Sequence, residues 1–388
     1  RYGDNALSYE KKDRGRKFIL TEKMKEKSFV IIAGGTGGHV YPAISLAKKL
    51  SDRRYLVVFL TDERGAKFIK LKSKIKILIL PSPGKKEGIL SVLEKLYVLI
   101  RNFCTSLKKL KTLKPSAVIG FGGYYSISPI LASYVSKIPI LIHEQNAMAG
   151  RANKLLFPIA DRIAISFRKV DGLRANKKKI VRTGTPIRPE FFKLGKKLYP
   201  DYSRKTNLKI LVIGGSQGAR SFSKILPHAL SLIDEKDRKR LVISQQCNKK
   251  DIYQLKKIYA PLKVKTNLKI FFHNLPKILT KCHLVIARSG ASTIAELEVA
   301  NKPSILIPYP YAKDNHQMKN AQMIESAKPN WILEENEKTA ILMSKLIQKL
   351  IKNPGTFLNK VKNKRKRTFN NGSENLAKHC VQIVGDKA

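Results

Sequence analysis

SFVIIAGGTGGHVYPAISLAKKL, residues Ser28–Leu50, decides the fold. Phe29–Ala33 is a short apolar run, the signature of a buried strand. The glycine-rich Gly34–His39 then breaks it, and apolar residues recur at helical spacing over Tyr41–Leu50. The same strand, glycine turn and helix return at Ala117–Gly120 with Phe121–Gly123, and again at Lys209–Ile213, Gly214–Gly218 and Ala219–Leu232. Further buried strands are expected at Leu56–Leu60, Ile75–Leu80, Ile138–Ile142, Leu241–Ser244, Ile270–Phe272, His283–Ala287 and Ser304–Pro308. Alternation of this kind predicts α/β architecture, with two parallel sheets covered by helices on both faces.

The length of 388 residues suits two domains. Pro186, Pro189 and Pro200 cluster with basic residues between Gly184 and Asn207, which marks a connection. The expected division is a leader over 1–27, one Rossmann-like half over 28–188 and a linker over 189–207. A second such half follows over 208–370, then a terminal helix over 371–388 that returns to the first half. Glu337–Asp386 reads as helical throughout. The natural start is expected at Met24, with an unstructured extension ahead of it.

Lys and Arg number 77 against 28 Asp and Glu, a formal charge of +49. Such a charge favours anionic partners: phosphates, acidic lipid surfaces or nucleic acid. Lys360–Arg367 is the densest basic run, read as a solvated helix face or an anion-binding patch. Four separated cysteines, Cys104, Cys247, Cys282 and Cys380, argue against a disulfide framework or zinc site and fit a reducing cytosol. No apolar run reaches transmembrane length.

Glycines let backbone N–H groups approach an anion, and a helix N-terminus adds partial positive charge. The turns Gly34–His39, Gly120–Tyr124 and Gly214–Ala219 are therefore diphosphate candidates, beside the reading that glycine merely permits a tight turn. None is GxGxxG with an acidic ribose contact or GxxxxGK[ST], which disfavours a dehydrogenase or P-loop NTPase. His39 serves as a helix-start residue, a phosphate donor or a general base, and the residues alone leave all three open. His143-Glu144-Gln145-Asn146 follows a strand at the edge where open α/β sheets hold ligands. These four suit sugar hydroxyls or, equally, a hydrogen-bonded turn. Arg288–Glu296 repeats the strand-to-helix pattern, with Ser292 and Thr293 placed for phosphate and Glu296 for a ribose diol, or all as a simple cap. Asp314–Gln317 adds further polar groups. There is no Asp-x-Asp pair, so no metal and no cofactor is expected, and helix dipoles and cations would stabilise a leaving diphosphate.

In order and spacing, Gly34–His39, Gly120–Tyr124, His143–Asn146, Gly214–Ala219 and Arg288–Glu296 resemble the MurG family of membrane-associated N-acetylglucosaminyltransferases in bacterial peptidoglycan synthesis. The resemblance runs from about Ser28 to the C-terminal region. It implies a GT-B fold and an inverting, metal-independent transfer of N-acetylglucosamine from UDP-N-acetylglucosamine. The acceptor it implies is the muramyl 4-hydroxyl of undecaprenyl-linked lipid I, giving lipid II. Carried over, Ser216, Gln217 and Arg188 resemble donor-diphosphate contacts, and Phe272 and His273 the uracil-binding strand end. Ala291, Ser292 and Thr293 resemble the phosphate-side helix start and Glu296 the ribose ligand, while Asn146, His316 and Gln317 match contacts to N-acetylglucosamine. Thr36, Gly37 and Gly38 are assigned to the donor and also, with Gly35, Gly122, Gly123 and Tyr124, to the acceptor diphosphate. His39 aligns with a proposed base or acceptor-site histidine. Thr185 stands where many members carry Asn, and His316 where some carry Gln. Ser244-Gln245 lacks the His of a family pair and receives no role.

A lipid acceptor implies a docking face. Gly88–Leu113 places Leu93, Leu96, Ile100, Phe103, Leu107 and Leu110 at helical spacing among Lys95, Arg101, Lys108, Lys109 and Lys111. This suits either an anionic bilayer or an ordinary crossover helix. The implied location is peripheral, on the cytoplasmic face of the bacterial plasma membrane. Two other readings compete: a different GT-B enzyme (a diacylglycerol glycosyltransferase or UDP-sugar epimerase), and a basic nucleic-acid-binding protein. The latter is disfavoured by 8% aromatic content and a single Trp331 outside the glycine motifs.

Overall fold

The computed structural model describes residues 27–69, 75–82, 89–194, 199–214, 220–324, 330–355 and 371–386. The opening stretch forms β1 (Ser28–Ile32) and α1 (Gly37–Asp52), with α1 beginning inside the glycine turn. Val40, Ala43, Ala47 and Leu50 are buried along one face of α1, the stripe a sheet-packing helix needs. The first half continues through β2 (Leu56–Thr61), α2 (Glu63–Ala66), β3 (Lys76–Ile79), α3 (Ile89–Leu113), β4 (Ala117–Gly120) and α4 (Ile127–Val135). It ends with β5 (Ile140–Glu144), α5 (Arg151–Leu156), β6 (Arg162–Ile165) and β7 (Ile180–Arg182).

The second half opens with α6 (Pro189–Phe192), β8 (Leu208–Ile213), α7 (Phe222–Ser231), α8 (Glu235–Arg238), β9 (Leu241–Gln246), α9 (Ile252–Tyr259) and β10 (Lys265–Lys269). Then follow α10 (Leu275–Lys281), β11 (Leu284–Ala287), α11 (Ala291–Val299), β12 (Ser304–Leu306), α12 (His316–Gln322), β13 (Asn330–Ile332), α13 (Thr339–Lys352) and α14 (Gly372–Gly385).

The sheet orders are β3-β2-β1-β4-β5-β6-β7 and β10-β9-β8-β11-β12-β13, with every pairing parallel. Counted from its own first strand, each sheet runs 3-2-1-4-5-6, the first adding a seventh strand. In such sheets ligands bind beyond the strand ends where the winding reverses. The reversal falls between β1 and β4 in one half and between β8 and β11 in the other. The glycine turns follow β1, β4 and β8, and Arg288–Glu296 follows β11. Gly34–His39, Gly120–Tyr124 and Arg288–Glu296 thus lie at three of the four strand ends flanking the switch points; in sequence Gly214–Ala219 follows the fourth, β8, with residues 215–219 outside the described residues.

Alternate residues of the central strands feed separate cores. Phe29 and Ile31 join the cluster under α1, whereas Val30 and Ile32 join the cluster with Val118, Ile130 and Ile142. Ile210 and Val212 are split from Leu211 and Ile213 in the same way. Coverage on both faces is why these strands read as unbroken apolar runs.

Three expectations are corrected. Ile75–Leu80 is an edge strand rather than a buried one: β3 pairs only with β2, leaving Ile77 39% and Ile79 53% exposed. The strand expected at Ile270–Phe272 lies at Lys265–Lys269, an edge strand of alternating polar residues that lacks an apolar signature. Ile270 and Phe271 are exposed beyond its end. Helix is not continuous over Glu337–Asp386, because α13 stops at Lys352, just ahead of Pro354, whose ring disfavours helical geometry in the residue before it. Around the start of the proline-rich connection, Ile187, Phe191 and Leu194 sit in the second half's core. The terminal helix α14 lies against the first half. Leu376, Ala377, Cys380 and Ile383 pack with β1 and α1, and Glu374 pairs with Lys49 at 2.6 Å and with Arg53.

Candidate active site

The first turn is boxed in from two sides. Asp62 Oδ1 accepts from Gly35 N at 2.7 Å and Gly65 N at 2.8 Å, and Oδ2 accepts from Ser82 and Arg64. Burial works against the Asp62 carboxylate, but the bonds from Gly35, Gly65, Ser82 and Arg64 win and hold its pKa below the ordinary value. The Tyr125 hydroxyl donates to Gly34 O. A Cβ on Gly34 would lie 2.5 Å from Asp62 Oδ1, and Gly35 has φ +73°, so both positions require glycine. Thr36 stands at the N-cap of α1 without a side-chain cap bond. His39 N and Val40 N bond to Thr36 O, which leaves the N–H groups of Gly37 and Gly38 without a partner among the described residues and available to an anion.

The second turn shares the same buttress. Gly123, at φ +89°, would place a Cβ 2.5 Å from the Tyr125 hydroxyl, and Gly122, at φ +80°, lies against the Asn153 carboxamide. The Tyr125 ring thus joins the two N-terminal turns into one concave surface. The Tyr124 hydroxyl donates to Lys95 O in α3 at 2.5 Å.

At the end of β5, of the two readings left open, the structure favours the hydrogen-bonded turn for three of the four residues. His143, Glu144 and Gln145 are buried and bonded internally rather than presented to a ligand. Glu144 accepts from Asn146 N, Gly150 N and Asn153 Nδ2 at 2.8–2.9 Å. Only Asn146 keeps partial exposure. His39 Nδ1 lies 3.1 Å from Gln145 Oε1, and Gln145 Nε2 lies 3.1 Å from His143 Nδ1.

The two halves meet around Asn146. Asn320 of α12, fully buried, accepts from Ala147 N at 2.8 Å and donates to Asn146 Oδ1 and Ser289 O, both at 3.1 Å. Arg151 pairs with Asp314 at 3.1 Å across the same gap. His316 Nδ1 is held by Lys313 O at 2.8 Å, and the Gln317 oxygen accepts from Tyr309 N at 3.0 Å. Helices α1 and α11, which open at the two switch points, are in contact.

Arg188 stands over the Phe191 ring at 4.7 Å and near Tyr41 of α1 at 5.9 Å. Its Nε and Nη2 donate to Glu296 Oε1 at 3.1 and 2.9 Å. The second Glu296 oxygen has no partner among the described residues. Burial raises the Glu296 pKa, and Arg188 counters that rise. At the head of α11, Ala291 is buried and the Ser292 hydroxyl is buried without a hydrogen-bond partner. An orphaned donor there calls for a ligand or an ordered water. The Phe272 side chain turns into the core, so only its backbone is offered to a ligand, while His273 beside it is exposed. Ser216 and Gln217 lie outside the described residues, as does Lys360–Arg367.

Sequence reading missed four organising residues: Asp62, Tyr125, Asn320 and Glu335. Glu335 pairs with Arg288 at 2.5 Å, while Arg288 donates to Ser221, Ile307 O and Pro308 O. Arg288 therefore fastens the start of α7 and is not free for a ligand. None of the four sits in a glycine motif, and each makes a contact far away in sequence.

Two Rossmann-like halves, each a parallel sheet with its own switch point, in contact through α1 and α11, form the GT-B architecture. The chain matches the glycosyltransferase family 28 N-terminal domain over residues 29–165 and the C-terminal domain of that family over 209–379. It belongs to glycosyltransferase family 28, and within it to the MurG family. A UDP-N-acetylglucosamine--N-acetylmuramyl-(pentapeptide) pyrophosphoryl-undecaprenol N-acetylglucosamine transferase of Zymomonas mobilis is 38% identical, covering 93% of each chain. The Rhodospirillum centenum enzyme of the same name is 40% identical over 85% of this chain and 88% of its own. The crystal structure of Acinetobacter baumannii MurG superposes with a TM-score of 0.72 at 26% identity, covering 92% of this chain and 99% of that one.

Proposed function

We infer that this chain transfers N-acetylglucosamine from UDP-N-acetylglucosamine to the muramyl 4-hydroxyl of undecaprenyl-diphosphate-linked lipid I, giving lipid II. The observation that carries this is the pair of apposed switch points in a chain matching the named transferases over nearly its whole length. In this reading the C-terminal half holds the donor. Glu296 takes the ribose diol, and Arg188 with the Ala291–Thr293 helix start, including the unpartnered Ser292 hydroxyl, takes the diphosphate. The Phe272 backbone and His273 border the uracil. Asn146, His316 and Gln317 surround the sugar. Gly35–Gly38 and Gly122–Tyr124 face the acceptor diphosphate.

Transfer is then a single displacement. His39 removes the proton of the acceptor hydroxyl as its oxygen bonds to the sugar C1. The bond from C1 to the diphosphate oxygen breaks, and UDP departs with that electron pair, so C1 inverts. Helix N-termini and Arg188 meet the developing negative charge.

UDP-sugar epimerases share this fold, as a Listeria monocytogenes protein titled a UDP-N-acetylglucosamine 2-epimerase illustrates at TM-score 0.65. Incubation with UDP-N-acetylglucosamine alone separates the two. The transferase reading expects the donor to be recovered unchanged until a lipid I analogue is added; epimer formed without acceptor would overturn it.

Asn320 is read as the residue that aims Asn146. Asn320→Ala should raise the KM for UDP-N-acetylglucosamine about tenfold, through loss of roughly 1 kcal/mol or more of buried hydrogen bonding. An unchanged KM in steady-state assays would remove that role.

We also assign membrane docking to the start of α3. Val92, Leu93, Leu96, Tyr97 and Ile100 are 53–64% exposed, and Tyr134 and Val135 at the end of the adjoining α4 are similarly open. Lys95 and Arg101 rim this patch, whereas Val98, Asn102, Ser106 and Leu110 face inward. An apolar patch with a basic border suits an anionic bilayer, consistent with peripheral residence on the cytoplasmic face of the plasma membrane. Among the described residues no helix is long and apolar enough to cross a membrane. Replacing Leu93, Leu96 and Ile100 together by serine should cut co-sedimentation with anionic vesicles about tenfold or more. Transfer to a short-chain soluble acceptor should persist, and full vesicle binding by the triple variant would contradict the assignment.

A further inference from the structure

His39 is joined to a buried chain of hydrogen bonds whose polarity is fixed at its far end. His143 Nε2 lies 3.2 Å from Gly184 O. A carbonyl oxygen only accepts, so that nitrogen carries the proton and His143 Nδ1 is left as an acceptor. Gln145 Nε2 stands 3.1 Å from His143 Nδ1 and 3.0 Å from His143 O. Two acceptors on that side require the amide NH₂ there, which turns the Gln145 oxygen towards His39. Gln145 Oε1 is 3.1 Å from His39 Nδ1 and accepts from it. The proton of neutral His39 therefore resides on Nδ1, and the lone pair on Nε2.

We propose that Gln145 and His143 are positioning residues that lock His39 in the Nδ1–H tautomer, presenting Nε2 as the proton acceptor for the incoming sugar hydroxyl. The proposal rests on the base role of His39 given above. Its strength lies in the absence of slack. Gln145 and His143 are 1% and 0% exposed, so water cannot readily substitute for either bond. The His143 ring is further held against Phe121, with centroids 5.2 Å apart. Burial drives the His143 pKa down to about 4. His143 thus stays neutral at physiological pH and its Nδ1 remains an acceptor, so the chain does not reverse polarity. A neutral histidine side chain free in water favours the opposite, Nε2–H tautomer, which would aim a donor rather than a base at the acceptor.

The test combines nitrogen NMR with kinetics on the full-length enzyme. In ¹⁵N-histidine-labelled protein at neutral pH, with His39→Gln supplying the assignment, His39 should show a protonated Nδ1 and an unprotonated Nε2. His143 should show the reverse. Gln145→Met, close in length but without hydrogen-bonding groups, should shift His39 towards the Nε2–H form. It should lower kcat at least about tenfold, since a buried partner that sets the tautomer of a catalytic histidine is worth up to ~10⁴. The KM for UDP-N-acetylglucosamine should stay within about threefold, which a general structural defect would not spare. Wild-type His39 protonated on Nε2 would overturn the proposal without recourse to any variant. So would a folded Gln145→Met enzyme with unaltered tautomer and kcat. Undiminished kcat in His39→Gln would instead overturn the base reading beneath it, and the spectra distinguish the two failures.

Discussion

Replacing His39 by alanine is expected to lower kcat about 100-fold or more, with the KM for UDP-N-acetylglucosamine changed less than about threefold. His39 lies in the first turn of α1, where His39 N bonds to Thr36 O, so its position is set by the helix start. Its ring reaches Gln145 of β5's loop, placing it between the two N-terminal glycine turns and the interdomain contact at Asn146. In the proposed transfer a group there acts on the acceptor hydroxyl rather than on the nucleotide. A positioned general base contributes typically 10²–10⁴-fold to rate, and that is the loss steady-state kinetics should register. Were His39 only a helix-start residue, alanine would lower thermal stability and leave kcat nearly unchanged.

Glu296→Ala should act on binding instead. One Glu296 oxygen holds Arg188 and the other is unpartnered among the described residues, in a largely buried position. A carboxylate accepting a ribose diol makes charge-assisted hydrogen bonds worth about 1.5–3 kcal/mol, so the Kd for UDP should rise roughly 10- to 150-fold. Arg188 would also lose its partner, which adds to the effect and disorders its approach to the diphosphate. Glu296→Gln should fall between wild type and alanine, because the amide still accepts one bond. Titration calorimetry with UDP reads this directly, and an unchanged Kd for Glu296→Ala would remove Glu296 from the donor site.

The central strands were legible in the sequence because both sheet faces are covered. Burial on each side turns Phe29–Ala33 and Lys209–Ile213 into apolar runs, and the glycines that follow mark the switch points. Edge strands carry no such mark. β10 alternates lysine, threonine and asparagine with a single leucine, and β13 has only three residues, so neither announces itself. The candidate site divides along similar lines. His39, Glu296 and Ser292 could be singled out as candidates because each sits in or just after a strand-to-helix turn. Asn320 was not, since it looks like any polar residue of a short helix and its partner Ala147 is 173 positions away. The His143–Asn146 run stayed ambiguous for the opposite reason. Four consecutive polar residues suggest ligand contact, yet three of them brace the turn and only Asn146 reaches partial exposure. Asp62 and Tyr125 shape the glycine turns through contacts made only once β1, β2 and β4 lie side by side.

The account stands or falls on group transfer between the two halves. Labelled UDP-N-acetylglucosamine, a lipid I analogue and the purified chain, incubated with a chelator present, should release UDP and form a β-linked disaccharide product in equal amounts. Product that retains the donor's α configuration, or no transfer with chelator and with added divalent cation alike, would contradict it.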